Sequence, residues 1–255
     1  METVAVFSMV DTANYRLANG TWEDAAESIE SADFVALPTG SHEQHSIHLP
    51  LSVDTLLAEY ITTRLVETAP EYDLDMVMLP ELPYGYSEHH MNYPGTVTLS
   101  AETYQRVIQD IGTSMKRHGA ARLLIINHHG GNTEPLKLAA DRLQRDQELS
   151  THVVSPPSFV SDAIDDHFGD EWGHAGDYET SGIEHIAPEL VKQEKKEPQT
   201  RVGEFETRTW AYFDDTTEQG GWGDPTNSDP EFFETLVEEM TADILESLNA
   251  DIDEE

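Results

Sequence analysis

Three histidines and a carboxylate fall in one short run, Ser41-His42-Glu43-Gln44-His45-Ser46-Ile47-His48, and Asp54 follows where an apolar helical pattern begins. Imidazole nitrogen and carboxylate oxygen are the usual ligands of zinc and similar divalent ions, so this segment reads as metal-binding. Glu43 and His45 are two apart, and in an extended loop both side chains point the same way. A carboxylate at Asp54 has two oxygens and can bridge two ions. His129, in the run Asn127-His128-His129-Gly130-Gly131-Asn132, supplies a ligand from a distant part of the chain, and Gly130 and Gly131 let the backbone pack closely around it. A further cluster, Trp172-Gly173-His174-Ala175-Gly176-Asp177-Tyr178-Glu179, brings a histidine and an acid together before another helical pattern. These segments hold enough donors for two ions and leave one histidine for proton transfer.

The elements that must position them alternate between strand and helix. Phe34 to Leu37 reads as a buried strand with the first histidine loop at its end. A helix over Leu51 to Val66, a strand over Met76 to Leu79 and a helix from a Ser100 cap to Gly119 follow. Leu123 to Ile126 is the clearest strand and carries the second histidine loop. A helix over about Glu134 to Asp146 and a strand over His152 to Val154 come next, and an amphipathic helix over Phe232 to Leu248 closes the chain. This alternation predicts a three-layer α/β/α sandwich with a mostly parallel central sheet, in which ligands sit at the carboxyl ends of the strands. Between Glu194 and Pro230 no period is readable. One domain over residues 1–255 is expected, with Asp251 to Glu255 as an acidic tail.

Charge is the anomaly of composition. Fifty Asp+Glu against 14 Lys+Arg give a formal net charge of -36 over 255 residues. Such a field repels nucleic acid and anionic lipid, which excludes both as partners. The acids are spread along the chain, which predicts a halophilic surface that needs salt to stay folded. There are no cysteines, so thiolate ligands are excluded. No secretory signal or membrane-length apolar run is visible, and a cytoplasmic location is expected.

Four segments in order resemble the creatininase (creatinine amidohydrolase) family, in a haloarchaeal-like form. They are Gly40 to His45 running on to Asp54, Pro83 to Ser87 with Tyr93-Pro94-Gly95-Thr96, Asn127 to Asn132, and His174-Ala175-Gly176 with Glu179-Thr180-Ser181. The resemblance implies a dinuclear site of zinc, manganese or iron, with Glu43, His45, Asp54 and His129 as ligands and Asp54 bridging. It implies His174 as the catalytic histidine and Glu179 as ligand or base. A homo-oligomer, often a hexamer, is also implied. Two departures stand out: His128 replaces the first glycine of the family's Asn-Gly-His-Gly-Gly-Asn, and Gly131 stands where creatinine-hydrolysing members carry a metal-binding acid.

The expected activity is hydrolysis of a non-peptide C–N bond in a cyclic amide or formamide by metal-activated water, with His174 carrying a proton to the leaving nitrogen. A formylamino-pyrimidine deformylase of flavin or deazaflavin biosynthesis, an inactive ligand-binding relative and a sugar-lactone or C–C hydrolase are the alternatives. The partner is then a small-molecule substrate, with Ser87, Asn132 and Trp172 as candidate contacts. Trp210 and Trp222 could stack on a ring, although core or interface is the commoner place for tryptophan. His42 and His48 read as orienting residues, His89 and His90 as pocket or exposed loop alike, and Asp177 as part of the solvated acidic face.

Overall fold

The computed structural model describes residues 15–169, 172–202 and 211–254. Strands β1 (Phe34–Thr39), β2 (Met76–Met78), β3 (Arg122–Asn127) and β4 (Ser150–Val154) form one sheet in the order β2-β1-β3-β4. Every pairing is parallel. All six residues of β1 are buried. A strand covered on both faces has no polar side, which is why β1 and β3 read as unbroken apolar runs.

The pleat divides the core in two. Phe34, Ala36, Leu124 and Ile126 face the helices α2 (Val53–Thr68), α5 (Ser161–Phe168), α6 (Asp177–Ile186) and α7 (Pro230–Glu254). Leu37, Leu123 and Ile125 face α3 (Ala101–Arg117) and α4 (Thr133–Gln147), while Val35 and Val77 meet α1 (Trp22–Ser31) on that same side. The expected three layers are present. The stripe Phe233, Leu236, Val237, Met240, Ile244 and Leu245 of α7 is fully buried. Each such side chain contributes roughly 1.5–3 kcal/mol, so α7 is anchored along most of its length.

Two differences from the sequence reading have clear causes. The acids expected to form a tail continue α7 through Glu254, because Ile252 extends the stripe of Leu245 and Leu248 and packs on the core. Glu255 and Trp210 lie outside the described residues. Helix α1 was not expected: it buries only Ile29, and its start is set by a capping box between Thr21 and Asp24.

Strand order fixes where a ligand can sit. From β1 the chain crosses through α2 to β2 on one side, then returns through α3 to β3 on the other. The connections leaving the ends of β1 and β3 therefore diverge and leave a crevice between them. Both histidine loops open into that crevice.

Candidate metal centre

After β1 the chain turns across the start of α2. A Cβ on Gly40 would lie 2.6 Å from the backbone of Asp54 and Thr55, so only glycine permits this approach. It brings Asp54, in the first turn of α2, beside Glu43 and His45. A helix N-terminus favours a carboxylate there.

The two oxygens of Asp54 face different partners. Oδ1 is 3.3 Å from His45 Nε2, and Oδ2 is 3.2 Å from His129 Nδ1. His129 Nδ1 is also 3.3 Å from Glu43 Oε1, and His45 Nε2 is 3.6 Å from Glu179 Oε2. The donors thus fall into two compact sets, Glu43–Asp54–His129 and His45–Asp54–Glu179, with Asp54 common to both. His174 joins Glu43 and His45 in a third grouping. Ligands bound at zinc-like distances to one ion are separated by roughly 3–3.5 Å, the spacing found here. Both oxygens of Glu43, Nε2 of His45 and Oδ2 of Asp54 are buried without a hydrogen bond among the described residues. Unpaired buried carboxylates are costly, and a cation relieves that cost. The donor set fits divalent metal.

The rear nitrogen of each histidine decides what its front nitrogen offers. His45 Nδ1–H donates to the Glu43 carbonyl (3.2 Å), and His129 Nε2–H to the Tyr86 carbonyl (3.0 Å). At His174 both the carbonyl (2.8 Å) and the side-chain nitrogen (3.1 Å) of Gln44 approach Nε2. The shorter contact requires a hydrogen on Nε2, so Nδ1 faces Glu43 Oε1 at 3.8 Å with its lone pair. A carbonyl can only accept, so each ring keeps its hydrogen at the rear and, once neutral, would turn a lone pair inward, the arrangement usual for metal-binding histidine. His90 is the reverse. The Gln44 amide, its oxygen accepting from Ser46 N–H (2.9 Å), donates to His90 Nδ1 (2.8 Å). His90 therefore turns Nε2–H toward Glu43 Oε1 at 3.3 Å.

Without metal, protons hold the charges together. Burial alone would lower His45, but Asp54 and Glu179 beside it lift it to about 9. Burial opposes charge on His129 too, yet Glu43 and Asp54 raise it well above the ordinary imidazole value. Burial would raise the carboxyls of Glu43 and Asp54, but His129 holds the first and His45 the second below the usual range. Burial lifts Glu179 and, helped by the charge on His45, pushes His174 down to about 3.

Of the expected substrate contacts, Trp172 lines the cavity of about 590 Å³ that opens over the centre. Ser87 and Asn132 do not. Ser87 is fully buried with its hydroxyl between Ser41 Oγ and His129 Nε2 (3.2 Å), supporting the rear of that ring. Asn132 is fully buried and ties loops together, donating to Gly40 O (3.0 Å) and accepting from Tyr86 N–H (2.9 Å). Asp177, expected on the solvated face, is buried and accepts from Asp224 N–H (2.8 Å), because it opens α6 beneath the turn at Gly223. His89, His90, Phe213 and Trp222 line the cavity. Phe213 stacks on Trp222 at 4.6 Å and on His90 at 4.4 Å, a contact the unpatterned sequence around it did not announce. At Gly131 a Cβ would lie 2.4 Å from His129 Nε2 and Tyr86 O, so this loop admits no acid there. Glu179, oriented by the Ala175 N–H at 2.6 Å, places a carboxylate beside His45 and Asp54.

A family model described as creatinine amidohydrolase matches residues 18–248. This chain belongs to the creatininase family. It is 36% identical over 159 residues to the mycofactocin precursor peptide peptidase of Mycolicibacterium smegmatis, a match covering 62% of this chain and 59% of that one. It is 30% identical over 190 residues to the creatinine amidohydrolase of Pseudomonas putida, covering 67% of this chain and 71% of the relative. A solved mutant creatininase described as of the Zn–Zn type superposes with a TM-score of 0.79 at 25% identity, covering 93% of this chain and 98% of that one. The fold is the creatininase fold, and the family includes metal-bearing hydrolases.

Proposed function

We propose that the protein is a two-metal amidohydrolase that cleaves a C–N bond in a cyclic amide or formamide. The observation that carries this reading is the pair of donor sets sharing Asp54. Glu43 and His129 would hold one ion, His45 and Glu179 the other, and Asp54 would bridge them. Zinc, manganese and iron all suit this nitrogen and oxygen set. When bound, two such ions supply Lewis acidity and a water acidic enough to be deprotonated near neutral pH.

The chain's own groups do the rest. His174 offers Nδ1 as an unprotonated base while its Nε2–H stays fixed on the Gln44 carbonyl. It takes the proton of the attacking water and returns it from the same atom to the leaving nitrogen. That nitrogen keeps the electron pair of the broken C–N bond. Glu43 stays ionised beside it, with His90 Nε2 facing its Oε1 at 3.3 Å. Trp172, Phe213 and Trp222 form the wall against which a ring would pack, and no lysine or arginine lines the cavity among the described residues. That wall suits a heteroaromatic formamide such as a formylamino-pyrimidine. A peptide amide is the second reading, favoured by a cavity of about 590 Å³ and by a relative named as a peptidase.

The reading also takes the chain as one domain that assembles as a homo-oligomer, a state that light scattering measures. No helix among the described residues is long and apolar enough to cross a membrane. The direct test is a chelate-and-restore assay on creatinine, a formylamino-pyrimidine and short peptide amides. Hydrolysis of one class, abolished by chelator and restored by zinc or manganese, is expected. Hydrolysis indifferent to chelator contradicts the proposal.

A further inference from the structure

The side chain of Gln44 has no part in the roles above. It is buried, it belongs to none of the donor sets among the described residues, and it does not line the cavity. Its place is therefore behind the reacting groups. Each polar atom of the residue is nonetheless engaged. The backbone N–H donates to Thr96 Oγ1 (3.1 Å), and the carbonyl meets His174 Nε2 (2.8 Å). The side-chain oxygen accepts from Ser46 N–H (2.9 Å). The side-chain nitrogen is 2.8 Å from His90 Nδ1 and 3.1 Å from His174 Nε2. An amide carries its oxygen and nitrogen on one rigid plane, so this one ties the Ser46 backbone to two imidazoles.

What presses on the amide is a turn that belongs to the aromatic wall. Thr217 Oγ1 accepts from the N–H groups of Gly220 and Gly221 (3.2 Å each) and donates to Gly221 O (2.8 Å), which closes the turn. Gly220 O then accepts from Ser46 N–H (3.1 Å). Gly220 has φ of +85°, and a Cβ there would run into Gln44 Oε1, so both the backbone and the space call for glycine. Two residues on, Trp222 N–H donates to His174 O (2.8 Å). The Trp222 ring stacks on Phe213, which packs on His90 at 4.4 Å and meets His174 edge-on at 4.7 Å. The rings of His90 and His174 lie 4.6 Å apart. Wall and imidazoles form one packed unit, and the Gln44 amide is seated between that unit and the turn.

We propose that Gln44 is a positioning residue: its amide joins the turn at Gly220 to His90 and His174, so that the substrate wall and the proton-transferring ring keep one fixed relation. This rests on the amidohydrolase reading and adds to it the part that aligns His174. A ring held by one backbone carbonyl can still swing about that contact. The amide on the same edge of the ring, and the His90 ring it holds alongside, remove that freedom. Proton transfer depends on such alignment, and a displacement of about 1 Å can cost about 10²-fold in rate.

Gln44→Met keeps the length of the side chain and removes both polar ends. In the zinc-loaded variant, on the same panel of creatinine, a formylamino-pyrimidine and short peptide amides, kcat is expected to fall by about 10²-fold, with KM and metal content as in the wild type. Gly220→Ala should lower kcat too, and should add nothing to the kcat loss of Gln44→Ala, since the atom it strikes is then gone. A kcat unchanged in Gln44→Met, or losses that simply add in the double variant, overturns the proposal. A wild type that hydrolyses none of the panel contradicts the amidohydrolase reading instead. NMR relaxation of the His174 ring carbons in the zinc-loaded protein decides without turnover. A ring rigid in the wild type and mobile in Gln44→Met is expected, and a ring equally rigid in both overturns the inference.

Discussion

His129 Nδ1 lies 3.2 Å from Asp54 Oδ2, across the crevice where the sheet order reverses between β1 and β3. That contact joins a strand-end loop to the first turn of a helix leaving on the other side. It exists because Gly40 lets the chain cross the start of α2.

His174 should be separable from metal binding. His174→Gln is expected to keep the metal content of the wild type and to lower kcat by about 10²–10⁴-fold with little change in KM. Steady-state kinetics and elemental analysis of the same preparation check this. Unchanged kcat would remove His174 from proton transfer.

Metal uptake should release protons from His45 and His129, since both are held protonated in the metal-free site. Affinity is then expected to climb as pH rises toward about 9, the value for His45. The sign for stability is opposite. A folded value of about 9 above the ordinary 6.5 gives the metal-free protein stability that is complete below 6.5 and lost as pH rises through about 9. Calorimetry in buffers of different ionisation enthalpy measures the protons released, and none released would contradict the charge assignment.

Gly131→Ala should damage the centre although it adds one methyl. The new Cβ meets His129 Nε2 and Tyr86 O at 2.4 Å and breaks the contact that fixes the ring. A cost of about 1–3 kcal/mol in stability is expected for such overpacking, with loss of metal from the Glu43–His129 side. Thermal melting and metal titration read the two effects separately.

A formal charge of -36 predicts that salt holds the fold together. Screening within about 3 Å at molar salt removes most of the self-repulsion. The melting temperature should rise by several degrees from dilute buffer to molar KCl. An unchanged curve would show that the acidic surface is not a salt adaptation.

The parts legible in sequence were those with a strong local signal. β1 and β3 are apolar on both faces, so their ends, and the loops bearing Glu43, His45 and His129, could be placed with no knowledge of the sheet order. Direction was not legible. Ser87 and Asn132 were read as substrate contacts, but whether a side chain faces the cavity or the rear of His129 depends on loops meeting in space. Phe213 and Trp222 reach the wall through a stretch of turns with no period to read. His90 is set apart from the ligand-like histidines by the Gln44 amide, a relation that no spacing encodes.

The most direct measurement is the metal content of the protein purified in high salt, by elemental mass spectrometry, for the wild type and Asp54→Ala. About two ions per chain in the wild type, and loss of both in the variant, is the result expected of a bridging carboxylate. Full occupancy in Asp54→Ala, or a wild type that takes up no metal on reloading, would contradict the dinuclear centre.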